Sequence, residues 1–121
     1  MTVHQRWGLV AVLACAATLA LMSQSPAADR LRFWNLTTVT IQELYMAPAG
    51  TTTWGANQCK NDRDDSVDDD ERLLITNVAS GTYDARMTYK NGNVCLAKSV
   101  KVVEGKIFSI EKKDLTNCTK P

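Results

Sequence analysis

The sequence holds a single histidine, His4, only three prolines, and no apolar run of the roughly 20 residues a membrane-spanning helix needs. Each scarcity excludes something. His4 lies in a segment expected to be removed, so the mature chain should carry no imidazole. It could then build neither a Ser-His-Asp triad nor a Cys-His pair. The six glycines form no phosphate-cradling loop and no dinucleotide fingerprint. Paired carboxylates could still act as acid and base, but the carboxylates here crowd onto one segment with no evident cleft. A non-enzymatic binding or structural protein is expected.

The N-terminus accounts for much of the apolar content. His4 and Arg6 occupy a short polar region, and the 14 residues from Leu9 to Met22 are almost wholly apolar. Ser23-Gln24-Ser25-Pro26-Ala27-Ala28 then supplies small residues suited to a peptidase. This tripartite order predicts a signal peptide over residues 1–27, cleaved near Ala27 or Ala28, and a periplasmic β-domain over residues 28–121. Val12-Leu13-Ala14-Cys15 faintly matches a lipoprotein box. It falls too early, because cleavage there would leave Ala16 to Met22 on the mature chain.

Removal of Arg6 from the 14 basic residues leaves 13, against 13 acidic ones, so the mature domain is near neutral. Such a domain has no global attraction for nucleic acid, and no membrane partner is expected after cleavage. Cys59, Cys95 and Cys118 remain, enough for one disulfide and one spare thiol in an oxidising compartment. Sequence does not choose among the three pairings. Their spacing fits no zinc pattern.

Period-two patterns dominate what is left. Leu31 to Leu36 read as a first strand, and Val39 to Met46 as a second, ended by Pro48-Ala49-Gly50. Leu73-Leu74-Ile75 start a third. Tyr83, Ala85, Met87 and Tyr89 alternate with Asp84, Arg86, Thr88 and Lys90, the clearest half-buried strand in the chain. Asn91-Gly92 predicts a tight hairpin of type I′. Val94 to Val103 return from it, and Ile107, Phe108 and Ile110 form a last strand. About six short strands without a helical period predict an all-β fold, a small antiparallel β-sandwich or barrel. Lys98, Lys101, Lys106, Lys112 and Lys113 decorate the late strands, as solvated faces or protected edges. Trp34 and Trp54 are expected at the core or its rim, with Trp54-Gly55 anchoring the segment that follows to the sheet. Asn35-Leu36-Thr37 matches a glycosylation sequon, but it sits inside a predicted strand.

One segment breaks the pattern. Residues 51–72 show no alternation, and a connection of that length in a compact domain is functional or disordered as a rule. Between Asn61 and Glu71 it carries seven of the thirteen mature carboxylates. Three readings stay open: a solvated acidic loop, a hard-cation site, or an acidic docking surface for a basic partner. For the cation site the candidate ligands are Asn61, Asp62, Asp64, Asp65, Asp68, Asp69, Asp70 and Glu71, all oxygen donors suited to calcium or a lanthanide(III) ion. Ligands left over could meet an ion shared with a second copy of the chain. Counted from Asp62, oxygen side chains recur at alternate positions through Asp70, as in an EF-hand. The match then fails, since Val67 replaces the turn glycine and Leu73 the bidentate glutamate.

Several stretches carry a resemblance. They are Phe33-Trp34-Asn35-Leu36-Thr37, Leu44-Tyr45 with Ala47-Pro48, Trp54-Gly55 with Asn57-Gln58-Cys59, and Asn61-Asp62. Val67-Asp68, Asp70-Glu71-Arg72-Leu73, Gly81 with Tyr83-Asp84, and Asp114-Leu115-Thr116 with Cys118 continue it over most of residues 31–118. In these the chain resembles a family of small exported β-proteins of alphaproteobacteria. It is similar in size, compartment and β-rich character to landiscernin-like periplasmic lanthanide-binding proteins. The resemblance implies a metallochaperone that holds a lanthanide with carboxylates. It transfers no ligand residue by residue, so the candidate site rests on the acidic loop alone.

Overall fold

The computed structural model describes residues 30–120, and the expected signal peptide, with His4 and Cys15, lies outside the described residues. Seven strands follow one another: β1 (Arg32–Leu36), β2 (Ile41–Pro48), β3 (Arg72–Leu74), β4 (Gly81–Tyr89), β5 (Val94–Val102), β6 (Ile107–Glu111) and β7 (Leu115–Thr119). Short 3₁₀ turns occupy Gln58–Asn61 and Lys112–Asp114. The strands form two sheets, β3-β1-β6 and β2-β4-β5-β7, that do not close into a barrel. The all-β sandwich expected from sequence is therefore the observed fold, with seven strands instead of about six. β7 escapes a pattern reading because Leu115 is its one residue that is not exposed.

Pairing is antiparallel except between β1 and β6, which run parallel with Phe33 opposite Phe108. Their rings lie 5.5 Å apart. Phe33, Leu73, Phe108 and Ile110 from one sheet meet Ile41, Leu44, Met46, Ala85, Met87 and Ala97 from the other. At roughly 1.5–3 kcal/mol for each large apolar side chain removed from water, this layer supplies most of the stabilisation.

Three local departures follow from bulges, which shift the inward phase of a strand by one residue. In β5, Lys98 and Ser99 together face Asp84, which stays on the face away from the core yet is only 2% exposed, covered by Gly50 N, Ser99 N and Lys98. The same extra residue changes the inward phase of β5 from Cys95 and Ala97 before it to Val100 and Val102 after it, and leaves Val94 and Leu96 half-buried on the outer face. The β4–β5 turn also differs from the expected type. Gly92 takes a positive φ of 88° and Asn91 does not. With Gly92 N–H on the Tyr89 carbonyl and Tyr89 N–H on the Asn93 carbonyl, the loop has three residues and a glycine bulge, not a two-residue type I′ turn.

Candidate functional site

The connection between β2 and β3 is bound to the sheets along its length. Gly55 N donates to Met46 O at 2.9 Å, and Asn57 Oδ1 accepts from Leu44 N and Cys59 N, both at 3.0 Å. The Asn57 bond to Cys59 N also caps the 3₁₀ turn, the usual role of an Asn at that position. Val67 exchanges two 2.9 Å backbone bonds with Ile41 and is wholly buried, as is Cys59. On the other side, Gln58 and Asn61 grip the β3 end. The Gln58 side chain bonds both Thr76 N and Thr76 O, and Asn61 Nδ2 donates to Leu74 O at 2.9 Å. The connection thus covers the free edges of β2 and β3, and it is an ordered part of the fold.

Asn35, at the end of β1, organises the second half. Its side chain is fully buried and Nδ2 donates to the carbonyls of Val39, Val67 and Asp68 at 2.9, 3.1 and 3.1 Å. Its Oδ1 accepts from Thr37 N and from Thr37 Oγ1. Its backbone N donates to Glu71 O and its carbonyl accepts from Asp70 N. One buried amide therefore fixes the course of Val67 to Glu71. An amide so enclosed is no glycan acceptor in the folded domain, whatever the sequon.

The candidate ligands fall into two groups on either side of buried Val67. Asn61 closes the 3₁₀ turn, with its Nδ2 donating to Gln58, Leu74 and Thr76. Asp62 accepts from Asp64 N at 2.8 Å, and Asp65, at a φ of 54°, pairs with Lys60 at 3.3 Å. Asp64 is exposed. In the second group, Asp68 Oδ1 accepts from Thr40 Oγ1, Asp69 Oδ1 from Thr38 N, and Asp70 Oδ1 from Trp34 Nε1. Glu71 Oε2 accepts from Asp68 N at 2.7 Å. Asp68, Asp69 and Asp70 are each held through Oδ1, which leaves Oδ2 as the oxygen able to meet a cation. A carboxylate fixed in this way is oriented as ligating carboxylates are. Among the described residues, however, no three or more His, Cys, Asp or Glu are grouped to hold a metal ion. The donor chemistry fits a hard cation, and the present side-chain positions do not converge on one.

Two arginines stack on aromatic rings around the connection. The Arg72 guanidinium lies 4.3 Å from the centre of the Trp34 ring, whose indole N–H holds Asp70. Arg86 sits 4.9 Å from both the Tyr45 and Trp54 rings, so Trp54 anchors the start of the connection onto the outer face of the four-stranded sheet. Both tryptophans are half-buried at the rim.

Sulfur chemistry is resolved as well. Cys95 and Cys118 form a disulfide between β5 and β7, and Cys59 is free and buried. Burial, with Asp62, Glu43, Asp65 and Glu71 nearby, pushes the Cys59 thiol up to about 12, so it stays protonated and inert.

No protein-family model, curated protein or solved structure matches the chain.

Proposed function

We propose that this chain is an exported, non-enzymatic β-sandwich protein that binds a hard cation, a lanthanide(III) or calcium ion, through its acidic loop. One observation carries the reading. Asp62, Asp68, Asp69, Asp70 and Glu71 are held by neutral donors, namely backbone N–H groups, a threonine hydroxyl and an indole. Neutral hydrogen bonds position a carboxylate without cancelling its charge. Lys60–Asp65, with both side chains more than half exposed at 66% and 57%, is an ion pair too solvated to offset the rest. The loop is thus a rigid backbone carrying concentrated negative charge, and an ion of high charge would gain most from it. Binding on this reading draws free carboxylate oxygens together while the Asn35-centred scaffold stays in place.

A second reading is a metal-free docking surface for a basic partner. It is favoured by the lack, among the described residues, of a ready-made group of three ligands.

Calorimetric titration of residues 28–121 with Ca²⁺ and La³⁺ separates the two. Asp62, Asp64, Asp68 and Asp70 are changed together to Asn, which keeps one side-chain oxygen able to accept at each position and removes its charge. Binding by the natural domain and loss in the variant is the expected result. Free metal at 100 times the dissociation constant should stabilise the domain by about 2.7 kcal/mol. Equal binding by both places the site elsewhere, and no binding of any hard cation leaves a metal-free domain whose acidic loop is a solvated or docking surface. Export is tested by mass spectrometry, with a mature N-terminus expected at Ala28 or Asp29. An intact Met1 or a lipid on Cys15 would refute it.

A further inference from the structure

A two-sheet sandwich has four free edges, and unpaired edges invite other strands. Two are closed here. The β2–β3 connection bonds to β2 through Gly55, Asn57 and Val67, and to the end of β3 through Gln58 and Asn61. A third, β7, is irregular. It has a register shift against β5, a positive φ at Asn117, and a disulfide at Cys118. The fourth edge, β6, has none of these protections.

The direction of the β6 backbone follows from its parallel pairing. Arg32 N donates to Lys106 O at 3.2 Å. In a parallel ladder alternate residues then bond the same neighbour, so Lys106, Phe108 and Ile110 face β1. Ile107 and Ser109 aim their N–H and C=O groups away from it. Glu111 N, which faces the same way, is taken by Asp114 Oδ2 at 2.8 Å, and that marks the end of the open stretch.

Beside this edge runs a groove of about 460 Å³ between β5 and β6, lined by Lys98, Val100, Lys101, Ile107, Ser109 and Asp114 among others. Its rim is basic. Lys101 is exposed, and Lys98 keeps 52% of its side chain exposed while reaching Asp84 at 3.3 Å. Asp114 is the acid at the far end, and its carboxylate is already engaged by Glu111 N. Ile107, at 49% one of the two exposed large apolar side chains among the described residues, lines the groove. An open strand edge, an exposed apolar contact and a basic wall occur together here and at no other edge described above.

We propose that the β6 edge is a strand-acceptor site that takes an extended acidic segment of a partner polypeptide. Main-chain groups of Ile107 and Ser109 would pair with the incoming strand. Ile107 would contact its apolar side chains, and Lys101 with Lys98 its alternate carboxylates. The site is separate from the acidic loop and does not depend on cation binding.

The test uses two short fluorescein-labelled peptides, alternating valine with glutamate or valine with lysine, and follows anisotropy and backbone amide shifts of the folded protein. The valine–glutamate peptide should bind, more weakly as salt rises, with the largest shifts at Ile107 to Glu111. Ser109→Pro removes an outward N–H without touching the β1 ladder and should weaken binding at least about tenfold with little change in melting temperature. Lys101→Glu should weaken the acidic peptide and favour the basic one, and it keeps the test alive if Ser109→Pro does not fold. Equal binding of both peptides, shifts confined to β7 or the acidic loop, or no binding up to about 1 mM would each overturn the proposal.

Discussion

The hydroxyl of Thr37 donates to Oδ1 of Asn35 at 2.6 Å, with both residues shielded from solvent. The backbone N–H of Thr37, which can only donate, bonds the same oxygen at 3.0 Å and settles which end of the Asn35 amide faces the acidic loop. With Oδ1 occupied by Thr37, Nδ2 must point toward the carbonyls of Val39, Val67 and Asp68.

Replacing Asn35 by Asp is therefore severe despite equal size. It sets a carboxylate oxygen against two or three carbonyl oxygens in a buried site, each left without a donor. At about 1–3 kcal/mol for each buried unsatisfied group, the cost is expected to exceed about 3 kcal/mol in urea unfolding. Thr37→Val, which loses one hydroxyl bond, should cost about 1 kcal/mol. Equal effects of the two changes would show that the amide orientation is unimportant.

Asp84 contributes a pH-dependent part of the stability on the acid side. The backbone N–H groups of Gly50 and Ser99, helped by Lys98, hold its carboxyl below the ordinary 3.8 in spite of its burial. A carboxyl lowered on folding stabilises above its unfolded value and loses that contribution as pH falls through its folded value. Stability should therefore decline below about pH 4, and less steeply in Asp84→Asn. At neutral pH that variant is expected to lose about 2 kcal/mol, the scale of hydrogen bonds to a charged group. Unfolding free energies measured between pH 2 and 7 (a range set by these values) decide it.

Cys59 should be silent toward thiol reagents until the domain unfolds. One thiol per chain is expected under denaturing, non-reducing conditions and none in the native state. Its raised thiol adds an alkaline limit. The stability tied to the protonated form is complete below the ordinary 9.0 and is lost as pH climbs toward about 12. Rapid native labelling would contradict the burial of this site.

Reducing the Cys95–Cys118 bridge, or changing Cys118 to Ala, should cost about 2–4 kcal/mol. Four of the five β7 residues are exposed and Leu115 is half-buried, so β7 has little apolar surface to hold it without the bridge. Amide exchange is expected to rise first at Leu115–Thr119 and along the β5 edge. Uniform loss of protection across both sheets would instead make β7 integral to the core.

The sequence pattern was most legible where apolar alternation and turn chemistry coincide. Ala85, Met87 and Tyr89 are buried as the period-two reading of β4 requires. It failed where a residue acts through distant partners. Asn35 looked like a sequon or a strand residue, because its role depends on carbonyls 32 and 33 residues further along. Asp84 was read as solvated because its cover comes from Gly50 and from a β5 bulge at Lys98 and Ser99, which carries no periodic signal. Val67 was visible only as a poor fit to a calcium loop, although its burial against Ile41 divides the acidic segment in two. The ordering of that segment was hidden because its hydrogen-bond donors, Trp34, Thr38 and Thr40, come from the β1–β2 region and not from the charge run.

The parallel pairing of β1 with β6 also bears on the order in which the molecule can form. Arg32 meets Ile107 across most of the described chain, and the loop between them must close before that contact rewards it. The antiparallel neighbour of β1, the three-residue β3, is too short to hold it alone. A chain delivered from its N-terminus would thus carry Phe33 as an unpartnered apolar side chain until Phe108 arrived. The hairpin of β4 and β5, with its local turn, is expected to assemble first and to provide the surface on which the earlier strands later settle.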